Sequence, residues 1–485
     1  MTAVYLPVAV ASVGGAMYGI DSGIIATIIG QEAFNKYMFP LHGEDTALTG
    51  AVVSLYNTGQ CVGTFIGGWA ADRISRKRAM TLACVIAILG ITLQTASVHV
   101  GMFIVGRFFT GLSSGMILPV VPTYISEISK PQNRGILVGF QGMGIALGFM
   151  AANWVGYGGS YAKGDLSWRI SLAMQYPCAV ILLVGSLFIP FTPRWLVSKG
   201  RTEEAHTVIQ KLHVGEGSEY INREMAQMQE QFLLEEAVKP GSFMKGLAQL
   251  LSRKYIKRVA LACFVQAITE LAGVSVIQNF QSIFYATVGF TGEKALLISG
   301  IYGFMGVIGQ LISLAFITDK WKRTTRLWVG CATLATNLAI CMALSAQFGD
   351  GTNLAASRAA IAFIFIYSCA FSVFFNSTVY VVAAELLPTS VRSKGVALST
   401  FCTSVTAIVM TQVAPSALDR IGWKFYSVFI ATNCLGLCIF KFFLPETQGL
   451  SLEEVGIIFG DEPPTKTDEV DAHKVRSIDA ERKQV

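Results

Sequence analysis

The sequence predicts an all-α polytopic membrane protein: twelve transmembrane helices in two six-helix bundles, with a helical segment outside the bilayer between them. Three observations predict it. First, 53% of the 485 residues are hydrophobic and only 14% charged, with a mean hydropathy of +0.53. Soluble domains run near ~25% charged, and a single core stops growing at about 250–300 residues, so this apolar excess needs lipid to face. Second, apolar stretches of spanning length, ~20 residues each, recur along the whole chain. Third, the one long polar interruption, 190–256, divides them six and six. Together these exclude a disordered chain, a nucleic-acid-binding protein and an ordinary soluble enzyme.

Hydropathy places the spans at 4–29, 48–71, 79–98, 101–125, 135–157, 169–189, 257–281, 294–318, 326–347, 357–383, 394–414 and 424–444. The units are therefore an N-terminal bundle, 1–189, a helical linker, 190–256, a C-terminal bundle, 257–444, and a tail, 445–485, disordered after about residue 460. Within the linker, Thr202 before Glu203 and Glu204 signals one helix start, and Ser218 before an amphipathic run to Glu236 signals another. No cleavable leader is expected, because Met1 is not followed by a basic region.

Orientation follows the positive-inside rule. Arg73, Arg76, Lys77 and Arg78 follow span 2, and Lys320, Lys322, Arg323 and Arg326 follow span 8. The linker holds nine further Lys and Arg residues and the tail five. Both termini and the linker are thus expected in the cytoplasm, in a plasma-membrane protein. The ten cysteines fall in apolar stretches without ligand spacing, so no disulfide and no metal site is expected, and no cofactor beyond a coupling proton.

The loop charges repeat between the halves. Gly68-x3-Asp72-Arg73-x2-Arg76 after span 2 matches Asp319-Lys320-x-Lys322-Arg323 after span 8, and Glu127-x6-Arg134-Gly135 after span 4 matches Glu385-x6-Arg392 after span 10. The topogenic rule needs no glutamate, so a structural purpose is expected: acid–base pairs that bridge neighbouring helices and hold the cytoplasmic side shut. A duplicated six-span unit is also an architecture of secondary transporters, with the solute held between the halves.

These residues resemble a sugar porter of the major facilitator superfamily, most nearly the fungal type, over about residues 10–455. The motifs carrying the resemblance, besides the loops above, are Gly19-Ile20-Asp21-Ser22-Gly23 in span 1, Gly106-Arg107 with Gly111 in span 4, Pro190-x-Thr192-Pro193-Arg194-Trp195-Leu196 after span 6, and Pro445-Glu446-Thr447-x-Gly449. The resemblance implies two bundles rocking about a central site. It implies a cytoplasmic gate drawn from Asp72, Arg73, Arg76, Glu127, Arg134, Arg194, Asp319, Arg323, Glu385, Arg392 and Glu446. Two gate positions depart from the family: Phe191 replaces an acid and Lys322 a glycine.

Asp21, Arg107 and Glu270 fall inside the membrane, where charge costs at least ~2.5–3.5 kcal/mol each. Paired with Arg107, Asp21 would be ionised, and protonation would release the pair; by resemblance the two form the coupling pair of a proton symporter. Glu270 has three readings: a second proton site, a counter-ion for a cationic ligand, or a carboxyl that only bridges helices.

The family grips hexoses with carboxamides and a tryptophan, and here most are replaced. The span 5 glutamine falls on Gly142, with Gln141 beside it, and Phe149 stands two turns on. Span 7 carries Thr269, Glu270 and Ser275, then Gln278 and Asn279-Phe280. In span 8 Val307 replaces the asparagine, with Gln310 nearby. Span 10 carries Asn376 and, in place of tryptophan, Tyr380; span 11 carries Thr403. These are the candidate substrate-binding residues. Losing several hydrogen bonds of ~0.5–1.5 kcal/mol each would remove most sugar affinity. With Phe280, Phe284, Phe371, Phe374 and Phe375 counted into the lining, an apolar cavity with few polar handles is expected.

The function expected is secondary active transport of a small organic solute, sugar-like or a less polar substitute, by a monomer in the lipid bilayer with no nucleic-acid partner. An exporter of a hydrophobic secondary metabolite is one alternative, and a non-transporting nutrient sensor another. No Ser/His/Asp set, nucleotide loop or metal cluster suggests an enzyme.

Overall fold

The structure is a computed structural model. It describes residues 2–38, 46–130, 134–214, 217–238, 250–253, 255–286, 289–317, 320–348, 353–376, 378–387, 392–448, 455 and 458–459. The tail beyond Gln448 therefore lies outside the described residues, apart from Val455, Ile458 and Phe459.

Among the described residues every regular element is helical. Ten stretches are long and apolar enough to cross a membrane; the last, Gly395–Phe442, holds two helices. Thr46–Arg73 supplies the remaining span. It is less apolar because Ser54, Asn57, Gln60 and Thr64 place a polar stripe along it at helical spacing. Spans 1 to 6 are Thr2–Ile29, Thr46–Arg73, Arg76–Thr95, Val100–Ile128, Arg134–Gly159, and Leu166–Ala173 with Tyr176–Phe188. Spans 8, 9, 11 and 12 are Glu293–Ile312, Arg323–Phe348, Arg392–Ile421 and Tyr426–Phe442. Span 11 runs on through Pro415 to Ile421, beyond the end at 414 that hydropathy gives. Between the bundles stand Pro193–Ser198, Thr202–Leu212 and Ser218–Val238.

Spans 7 and 10 are interrupted. Span 7 is Ile256–Leu271, Val274–Asn279 and Gln281–Ala286; span 10 is Leu354–Phe374 and Thr378–Glu385. Gly273 makes the first break in a left-handed conformation, φ 97°, where a Cβ would also stand 2.9 Å from the Phe429 ring. The carbonyls freed there find donors: the hydroxyl of Thr432 gives to Leu271 O at 2.5 Å, and that of Tyr367 to Ala272 O at 3.0 Å. At the second break the guanidinium of Arg326 donates to Val373 O at 2.6 and 3.2 Å and to the hydroxyl of Ser313. Arg326 is thus not a flanking surface charge: it is fully buried and satisfies a helix end that has lost its own donors.

Within each bundle, glycine allows close helix approach. Gly59, Gly63 and Gly67 of span 2 lie against span 4, and a Cβ on Gly63 would come 2.1 Å from Leu112 O. Gly19 of span 1 lies on span 5, its Cβ position 2.2 Å from Ile145 O. The halves meet through spans 2 and 11, 5 and 8, and 1 and 7.

Candidate functional site

A cavity lies between the halves; the space inside it and at its open mouth together comes to about 1290 Å³. Spans 1, 2, 4 and 5 line one side and spans 7, 8, 10 and 11 the other. Both interrupted helices border it, as in carriers whose sites sit at broken helices.

Of the residues singled out in the sequence, Phe149, Thr269, Glu270, Ser275, Gln278, Asn279, Asn376, Tyr380 and Thr403 line this cavity. After the Gly273 break, Ser275, Gln278 and Asn279 recur at helical spacing and share the cavity face. Phe280, the next residue, is turned away: it is fully buried in the apolar core, as is Phe284, which packs on Tyr426 with ring centroids 5.3 Å apart. Phe371 does line the cavity, but Phe374 and Phe375 lie against Gly330 of span 9.

Gln141 and Gln310 are also outside the lining. The backbone and Cγ of Gln141 pack on Gly15 of span 1. Gln310 fills the space left by the missing side chain of Gly142, with its Nε2 3.2 Å from where a Cβ would be. Its Oε1 accepts from Asn376 Nδ2 at 2.8 Å. Gln310 therefore positions a lining residue instead of meeting the solute itself.

The lining is more mixed than expected: apolar atoms make up the larger share of its exposed surface, but polar side chains outnumber apolar ones. Besides Ser22 of the span 1 motif, spans 1, 2, 10 and 11 contribute Tyr18, Tyr56, Asn57 and Gln60, then Ser368 and Ser372, then Thr400 and Ser404, with Gln266 from span 7. The signal was present as polar residues three or four apart inside apolar spans, which face a bundle interior and not lipid. Hydrogen bonds already order part of the wall: Thr403 Oγ1 donates to Gln266 Oε1 at 3.4 Å, and Asn279 Nδ2 to Ser275 O at 2.7 Å. Two further bonds join the halves beside it, Asn57 Nδ2 to Thr411 Oγ1 at 3.1 Å and Ser54 Oγ to Gln412 Oε1 at 2.6 Å.

One side chain behind the wall lies the Asp21–Arg107 pair. Arg107 Nη1 meets Asp21 Oδ1 at 3.2 Å and also donates to Asp21 O at 3.2 Å; Nε reaches Val52 O at 3.5 Å. Ser114 Oγ donates to the second carboxylate oxygen at 3.1 Å. Arg107 has no exposed surface, Asp21 almost none, and the guanidinium lies 4.3 Å from the centre of the Tyr56 ring. The pair thus ties spans 1, 2 and 4 together, and Tyr56 touches both the pair and the cavity.

The charges repeated between the halves form two networks on the linker face. In the first half, Arg76 binds Glu127 at 3.0 Å and Asp72 at 3.2 Å, and Trp195 Nε1 donates to Asp72 O at 3.2 Å. Ser75 caps span 3 and accepts from Arg78 N at 3.2 Å. Arg194 is near enough to act on Glu127 electrostatically, whereas Arg73 stands exposed. In the second half, Arg323 faces Glu385 at 3.8 Å, and Thr447 Oγ1 donates to Glu385 at 2.6 Å. Glu446 is a helix cap: it accepts from the amides of Arg323 and Thr324, at 2.9 and 3.2 Å, at the start of span 9. Thr324 Oγ1 and the amides of Thr447 and Gln448 add three more bonds. Burial pushes the Glu446 carboxyl up, but these donors outweigh it and hold it below the usual range. Burial, the larger effect at Glu385, raises that carboxyl. None of these contacts crosses from one half to the other: the first network joins helices of the N-terminal bundle to the start of the linker, the second joins helices of the C-terminal bundle to the start of the tail. Arg134 and Arg392 begin spans 5 and 11, but their side chains, and Asp319 entirely, lie outside the described residues.

The sequence pattern of the family described as "Sugar (and other) transporter" matches residues 8–459. The chain belongs to this family. Its relatives include the MFS-type transporter criB of Aspergillus cristatus, 30% identical over 468 residues and 96% of each chain. Sugar transporter STL1 of Saccharomyces cerevisiae is 29% identical, covering 92% of this chain and 79% of its own. In fold, this sugar porter is similar to the xylose transporter XylE of E. coli in a partially occluded inward open conformation, with TM-score 0.79, 18% identity, and 93% and 100% of the two chains covered. The protein is an integral membrane transporter of the sugar-porter type within the major facilitator superfamily, not an enzyme.

Proposed function

We propose that the protein is a proton-coupled carrier of a small hydroxylated solute, moved by alternating access of the two halves about the central cavity. The observation that carries this reading is the polar lining with the buried Asp21–Arg107 pair one residue behind it. Hydroxyl groups need both donors and acceptors, and the wall supplies amides, hydroxyls and phenols on all sides. A wholly apolar metabolite would leave those groups unpaired, whereas the apolar surface between them keeps export of a hydrophobic secondary metabolite as the second reading.

Ionised Asp21 holds Arg107 against spans 1, 2 and 4. A proton on Asp21 removes the charge that keeps the guanidinium in place, and Tyr56 passes the change to the cavity. The linker face is cytoplasmic on the Lys/Arg bias, in the plasma membrane, and the working unit is one chain. The networks around Glu127 and Glu385 stiffen each bundle on that face while the bundles rock as units.

The test is uptake of labelled hexoses, pentoses and polyols into proteoliposomes with an imposed pH gradient. Accumulation above equilibrium, abolished by a protonophore, is expected. Downhill flux alone would remove the proton from the mechanism. Flux confined to apolar compounds would overturn the substrate class.

A further inference from the structure

Glu270 is used by neither the coupling pair nor the linker-face networks. It ends the first piece of span 7, beside the break at Gly273, and lines the cavity. Its Oε2 is buried and has no hydrogen-bond partner among the described residues. Among the described residues, no Lys, Arg or His lines the cavity, so Glu270 is its single acid with no base to answer it. The ionisable groups acting on it are phenols: Tyr18 from span 1, Tyr367 and Tyr380 from span 10. Beyond Tyr18, the Asp21 carboxylate already has its own cation in Arg107. A carboxylate in such a place is costly unless it holds a proton or meets a cation, and aromatic faces beside it favour a cation as well.

We propose that the solute carries a basic nitrogen beside its hydroxyls, that Glu270 is its counter-ion, and that a proton and the solute's ammonium exclude one another at this carboxyl. The proposal rests on the hydroxylated-solute reading and narrows it. The proton balance is explicit: protonated Glu270 releases its proton to solution when an ammonium enters, and regains one when the ammonium leaves. Amide residues at this position would accept neutral hydroxyls equally well, and a carboxylate is the change that singles out a cation.

The experiment compares matched probes on the purified full chain in detergent: sorbitol with N-methyl-D-glucamine, and D-glucose with D-glucosamine. Affinity comes from titration calorimetry, and proton release from repeating it in buffers of different ionisation enthalpy. The expected result is amine binding at least about tenfold tighter than that of the neutral partner, with close to one proton released. Acidification should weaken amine binding and leave the neutral probes less affected. Glu270→Gln should lose both the preference and the proton release; Glu270→Asp, which keeps the charge, should retain the preference, and melting temperatures report folding of both. Equal binding of each pair by the native chain, or a preference surviving in Glu270→Gln, overturns this inference alone. Binding of neither member of either pair overturns the hydroxylated-solute reading beneath it too.

Discussion

Asn57 on span 2 donates to Thr411 on span 11 across the line between the two halves, 3.1 Å apart, at the edge of the cavity. With the Ser54–Gln412 bond one turn away, it forms a polar strap that must part or slide when the halves rock. A net ~0.5–1.5 kcal/mol per bond is enough to shift a balanced equilibrium several-fold. Thr411→Val together with Ser54→Ala should therefore increase labelling of a cysteine placed at the half-buried Ala51, on the face opposite the linker. Unchanged labelling would show that the strap carries no part of the closure.

Replacing Asp21 by Asn removes the charge that Arg107 faces while keeping the shape. Uptake against a gradient should fall to an accumulation ratio of about one, while exchange of labelled for unlabelled solute continues. Because Arg107 would be left buried without its partner, some loss of stability is also expected. Concentrative uptake equal to that of the native chain would rule out Asp21 as the coupling group.

The cap formed by Glu446 gives a signed pH dependence. A carboxyl held below its ordinary value of 4.5 contributes stability that is present above that pH and is lost as pH falls through the depressed value. Glu385 works the other way: its contribution is present below 4.5 and is lost as pH rises through the raised value. Glu446→Ala should cost about 0.5–2 kcal/mol, as for other lost helix caps, and flatten the acid limb of the melting profile. Glu385→Gln should leave that limb in place. The check is melting temperature in detergent between about pH 3 and 7.

Helix approach gives a prediction with an internal control. A side chain at Gly63 would put its Cβ 2.1 Å from Leu112 O, whereas at Gly68, one turn on, nothing lies within 4 Å. Gly63→Val should cost at least about 1–3 kcal/mol through overpacking and lower the yield of folded protein. Gly68→Ala should melt like the native chain. Equal melting of the two variants would mean that spans 2 and 4 are not this close.

The number of spans, their order and the linker helices were legible in the sequence, because spanning length and helix start signals are local properties. Asp21 and Arg107 were legible for a similar reason: charge inside an apolar run stands out without knowing its partner. The lining was not. Substitutions at positions where the family holds sugars show what has gone, but Asn57 and Gln60 enter the cavity from span 2, which carries no such position, and Ser368 and Ser372 from span 10 one to two turns before Asn376. Gln310 reads as a wall residue in the sequence because its place, braced on Gly142 through Nε2 and on Asn376 through Oε1, depends on helix packing across the halves. Glu446 was read as a gate charge, since the sequence does not reveal that its carboxylate meets backbone amides.

The broken helices have a mechanical consequence. Spans 7 and 10 are interrupted, while their counterparts in the first half, Thr2–Ile29 and Val100–Ile128, run unbroken. The halves share an architecture but not a compliance. In the first half the break lies in span 6, between Ala173 and Tyr176, which lends no residue to the cavity; the second half carries two joints, each beside residues that line it. On the alternating-access mechanism proposed above, local folding at those joints would enclose a solute before either bundle turns as a body, so that enclosure and rocking would be two separate events with separate rates.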